Sequence, residues 1–65
     1  MQIMLNGEQR ALNVQTVFEL ITELGYVDKR IAVELNGEIV PKSQHANTAI
    51  ADGDQLEIVV AVGGG

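Results

Sequence analysis

Sixty-five residues bound a single small domain. Nine acidic against four basic residues leave it a net charge of −5. That balance, with Phe18 and Tyr26 as the only aromatics, excludes a phosphate-tracking or base-stacking surface, so neither nucleic acid nor an anionic membrane is expected as a partner. The chain has no cysteine and one histidine, His45, which removes disulfides, thiol chemistry of its own and the usual structural zinc sites. An apolar content of 46% is too high for a disordered chain. The opening Met1-Gln2-Ile3-Met4 has no basic n-region, and no apolar run approaches the ~18–20 residues of a membrane span. A cytoplasmic protein is therefore expected.

Gln2 to Asn6 alternates as a strand, with Ile3 and Leu5 on one face and Met4 on the other. Asn6-Gly7 favours a tight hairpin turn, and the returning arm, Glu8 to Val14, carries Leu12 and Val14 on one side. Thr16-Val17-Phe18-Glu19 fits a capping box, with Glu19 reaching back to the Thr16 amide. Val17, Leu20, Ile21 and Leu24 then form an amphipathic helical stripe, ended by Gly25. Ile31, Val33 and Leu35 alternate with Ala32, Glu34 and Asn36 as a second half-buried strand. Asn36-Gly37 turns into a short, edge-like Glu38-Ile39-Val40 that Pro41 ends. From Ser43 to Ile50 no period holds. Ser43 is expected to cap one helical turn, Ile50 to plug the core, and His45 to be a surface or capping residue. Asp52-Gly53 is a turn into the last strand, Gln55 to Val62, where Leu56, Ile58, Val60 and Val62 share one face and Glu57, Val59 and Ala61 the other.

The order β-β-α-β-β-turn-β predicts an α+β fold of the β-grasp (ubiquitin-like) type. It has a mixed sheet of four to five strands with one main helix on one face, and the heavily apolar last strand lies in the centre. Its expected core is Ile3, Leu5, Leu12, Val14, Val17, Leu20, Ile21, Leu24, Ile31, Val33, Leu35, Ile50, Leu56, Ile58 and Val60. Residues 1–62 form the domain and residues 63–65 a flexible glycine tail. Met4, Val59 and Ala61 fall on the sheet face away from the helix, an apolar patch rimmed by acid and a candidate docking surface.

No nucleophile–base pair, phosphate-binding loop or metal cluster is present, so the chain is expected not to be an enzyme. The chemistry that remains is the carboxylate of Gly65. Three extended residues span about 10 Å, and Gly63, Gly64 and Gly65 would thread a narrow, water-excluding channel without side-chain clash. A carboxylate becomes a good electrophile only once its oxygen is made a leaving group, as by adenylation with ATP. The alternative is a frayed terminus or a cloning remnant.

These residues carry a resemblance that covers the whole chain. Ile3-Met4-Leu5-Asn6-Gly7, Thr16-Val17-Phe18-Glu19-Leu20-Ile21, Ala32 to Pro41, and Asp52-Gly53-Asp54-Gln55-Leu56-Glu57-Ile58 to Gly65 together resemble the ThiS family of thiamine-biosynthesis sulfur carriers. The family's terminal diglycine falls on Gly64 and Gly65, with Gly63 an additional glycine. The resemblance implies a carrier that binds no cofactor itself and is a monomer when free. A ThiF-like, ubiquitin-activating-like adenylyltransferase would use ATP to form an acyl-adenylate at Gly65. A persulfide donor would convert it to a thiocarboxylate, and a ThiG-like thiazole synthase would take the sulfur into the thiazole of thiamine. The small sulfur-carrier subunit of molybdopterin synthase is an alternative, as are a ubiquitin-like modifier of lysines and a bare interaction module.

Overall fold

The computed structural model describes residues 1–61. The expected glycine tail, Gly63, Gly64 and Gly65, and the boundary before it lie outside the described residues. Both Asn-Gly dipeptides turn as their chemistry dictates. Asn6 and Gly7 have φ of 51° and 82°, and Asn36 and Gly37 have φ of 51° and 87°, the paired positive values of a two-residue hairpin turn whose twist matches its strands. The first joins β1 (Gln2–Leu5) to β2 (Glu8–Ala11) and the second joins β3 (Ile31–Leu35) to β4 (Glu38–Val40). β2 stops at Ala11, short of the expected Val14. Leu12 and Val14 still pack on the core, from the connection and not from the strand.

Helix α1 spans Val17–Leu24. The Thr16 hydroxyl accepts the Glu19 N–H at 3.1 Å, half of the expected capping box. The other half is displaced by one residue: the Glu19 carboxylate accepts the N–H of Gln15, at 2.9 Å, and not that of Thr16. At the far end Gly25 is left-handed (φ 80°). Its N–H bonds Thr22 O at 3.1 Å while Tyr26 N–H bonds Ile21 O at 2.9 Å, a Schellman closure that satisfies the last carbonyls.

The sheet order is β2-β1-β5-β3-β4, with β5 (Gln55–Val60) in the centre. β5 runs parallel to β1 through Met4↔Gln55 and Leu5↔Leu56. It runs antiparallel to β3 from Ile31↔Val60 to Leu35↔Leu56. This is the expected β-grasp, with five strands and the chain's first and last strands adjacent. α1 buries Val17, Leu20 and Ile21 against Ile3, Leu5, Val33, Leu56 and Ile58. Each such side chain taken fully from water contributes about 1.5–3 kcal/mol.

Three expectations fail, for Val60, Ser43 and His45. Val60 is exposed, because the Ile31–Val60 pair ends the β3–β5 ladder and Ile31 itself is only partly buried. β4 lies at the sheet edge as expected, and within it Val40 is buried opposite Val33, a core position the expected core did not include. Ser43 does not cap: a 3₁₀ helix, Lys42–Asn47, starts directly after Pro41 with no side-chain cap. His45, expected at the surface, is buried within that helix, its Nε2 3.1 Å from the Val40 carbonyl oxygen. Ile50 is buried as expected, its N–H bonded to Gln15 O at 2.9 Å.

Candidate docking face and strand exit

Strand alternation fixes which side chains face away from α1. Since Ile3, Leu5, Val33, Leu56 and Ile58 point inward, Met4 from β1, Ala32 and Glu34 from β3, and Glu57, Val59 and Ala61 near β5 point outward. The pairing Glu34↔Ile39 adds Ile39 from β4. Among the described residues no helix covers this face. Val59 is 63% and Ile39 62% exposed, more than isolated apolar side chains need be.

Met4, Val59 and Ala61 thus share the open face but are not one patch. Met4 pairs with Gln55, and Val59 lies four residues further along β5, about 13 Å away. Val59 instead pairs with Ala32, next to Glu34↔Glu57 on the same face and Ile39 beyond. The apolar cluster near the end of β5 is therefore Ala32, Val59 and Ala61, with Ile39 at its margin beside Glu34. Its inner border is two carboxylates directly opposed across a strand pair, an arrangement that opposes folding. Sequence reasoning missed Ala32, Glu34 and Ile39 as parts of this surface. Alternation placed Ala32 and Glu34 on an outward face, but only the β3–β5 register puts them beside Val59.

β5 is pinned on both sides at the level of the two turns. On the β1 side the Asn6 amide acts as an extra strand residue: Oδ1 accepts the Ile58 N–H at 2.8 Å and Nδ2 donates to Ile58 O at 3.2 Å. On the β3 side Asn36 N–H bonds Gln55 O at 2.7 Å, and its Oδ1 accepts the Gln55 N–H at 2.9 Å. The last described bond is from Ala61 N–H to Arg30 O, 2.8 Å. The chain is thus held to residue 61, beside the open-face cluster. Among the described residues no group of three or more His, Cys, Asp or Glu is placed to hold a metal, and no helix is long and apolar enough to cross a membrane.

This sheet order, with one helix over a central parallel β1–β5 pair, defines a ubiquitin-like β-grasp protein. The family profile described as the ThiS family matches residues 3–65. The sulfur carrier protein ThiS of Escherichia coli is 35% identical, each chain covered in full, and that of Thermus thermophilus is 36% identical over 97% of this chain and 98% of the other. The crystal structure of the thiamine biosynthesis protein ThiS from Geobacter metallireducens superposes with a TM-score of 0.84 at 30% identity, again with full coverage of both chains. A thiazole synthase of Paramagnetospirillum magneticum is 50% identical over all of this chain, which spans only 20% of that protein's length. The chain belongs to the ThiS family.

Proposed function

We infer that the chain is a sulfur carrier for the thiazole moiety of thiamine, with the α-carboxyl of Gly65 as the reacting group. The observation that carries this reading is the central strand: β5 is fastened by Asn6, Asn36 and Arg30 up to residue 61, and the glycines that follow offer a partner's channel no side chain. Family membership and the sulfur-carrier names of full-length relatives support the cargo. The relatives named thiazole synthase, which contain a stretch similar to this chain, support thiazole synthase as the acceptor.

In the proposed cycle a Gly65 carboxylate oxygen attacks the α-phosphorus of ATP in an adenylyltransferase, forming the acyl-adenylate and releasing pyrophosphate. The terminal sulfur of a cysteine persulfide then displaces AMP. A thiol splits the resulting acyl disulfide, being oxidised as it does so, and leaves the thiocarboxylate on Gly65. Thiazole synthase takes the sulfur, and the carboxylate returns. Apart from the Gly65 carboxylate, the chain's own residues perform no chemistry in this cycle. The open face with Ala32, Ile39, Val59 and Ala61 docks on the partner, Glu34 and Glu57 complement a basic rim, and Met4 lies apart as an outer contact.

Deleting Gly64 and Gly65 tests the reading, since neither residue contributes to the described core. With ATP and the cognate adenylyltransferase, the full chain should release pyrophosphate stoichiometrically. The shortened chain should release none while unfolding at the same temperature. Pyrophosphate release by the shortened chain would move the reacting group elsewhere.

A further inference from the structure

On the helix side of the molecule lies a second, unassigned surface. α1 ends at Gly25, the connection 26–30 folds back through Lys29 N–H to Tyr26 O at 3.0 Å, and the 3₁₀ helix stands beside both. Between them is an open groove of about 680 Å³. Ile21, Tyr26 and Ile31 line it, with Phe18 and Val27 also in its lining, 45% and 47% exposed. The cations Lys29, Arg30 and Lys42 line it too.

The charge distribution is what singles this groove out. Three of the four Lys and Arg residues of the chain gather here, with Asp28 the only carboxylate in the lining among the described residues. The eight other acidic residues lie elsewhere, with only Arg10 among them as a cation. A protein that is strongly acidic overall thus concentrates positive potential around its exposed aromatic and aliphatic side chains, on the side of the sheet away from the acidic docking face. Such a groove takes an apolar side chain into its lining and carboxylates against its cations. Nucleic acid is disfavoured because it offers no large apolar side chain for the Phe18 and Val27 side of the groove, and an anionic membrane because its extended plane would meet the carboxylates outside the groove, whereas a short segment meets the groove alone.

We propose that this groove binds an acidic segment of a partner protein, one in which Asp or Glu flanks a large apolar side chain. Arg30 also ties it to the strand exit, since its carbonyl accepts Ala61 N–H. A partner seated here is held close to the emerging chain while the open sheet face stays free. The groove stands as a binding surface whether or not Gly65 is the reacting residue.

The test is an amide-shift titration of the full chain with the peptide acetyl-DEDLFEDE-amide and its charge-reversed twin acetyl-KRKLFKRK-amide. The acidic peptide should give saturable shifts at Phe18, residues 26–31 and residues 42–46, weakened at least tenfold in Lys29→Glu/Arg30→Glu and reduced by added salt. Both side chains are exposed, and the unfolding temperature of the variant reports its folding. The basic peptide should leave the groove unshifted. No saturable shift with the acidic peptide, shifts confined to the sheet face, or equal binding by pyrophosphate or by phosphatidylglycerol vesicles would overturn the proposal. Pyrophosphate release on activation is read separately, so a failure here is distinguishable from a failure of the carrier reading.

Discussion

Asn6 holds Ile58 by both of its backbone polar groups, accepting its N–H at 2.8 Å and donating to its carbonyl at 3.2 Å. One side chain therefore serves two purposes. Asn6 tolerates the positive φ that turns β1 into β2, and it continues the β1–β5 pairing past the point where the backbone leaves.

The two roles separate by mutation. Asn6→Gly keeps the turn and loses the clamp, so it should cost about 1–2 kcal/mol from two part-buried hydrogen bonds. Asn6→Ala also places a Cβ at positive φ and should cost about 1–2 kcal/mol more. Denaturant unfolding measures both. Equal destabilisation by the two variants would mean that the turn conformation carries no cost of its own.

Glu34 and Glu57 oppose one another on the open face, a placement that lowers stability and that the proposed docking role would account for. Glu57→Gln should raise stability by about 0.2–1 kcal/mol, a rise of a few degrees in Tm for a domain of this size. The same change should lower kcat/KM for activation by the adenylyltransferase, with the deficit shrinking as salt is added. Higher stability with unchanged kcat/KM would remove the acidic pair from the docking surface.

What the sequence revealed follows from how local each signal is. The Asn-Gly turns, the Thr16-to-Gly25 helix with its stripe, and the alternation of Ile31 to Leu35 depend on neighbours within a few residues, and these held. His45 and Val40 are buried because the 3₁₀ helix folds back so that the imidazole meets the Val40 carbonyl. The polar run Lys42–Asn47 has no apolar period to announce this. Val60 misled in the opposite way: its parity is that of a core residue, yet it lies where the ladder ends. The apolar part of the open face was half legible, since alternation gives a residue's face but only strand register places Ala32 beside Val59 and separates Met4. Lys29, Arg30 and Lys42 are far less clustered along the chain than around the groove.

The most direct test of the carrier reading is the intact mass of the chain after incubation with ATP, the cognate adenylyltransferase and a persulfide donor. The account predicts a gain of about 16 Da, the exchange of one carboxylate oxygen for sulfur, localised by fragmentation to Gly65 and lost again when thiazole synthase and its substrates are added. An unchanged mass, or conjugates through lysine side chains, would contradict it.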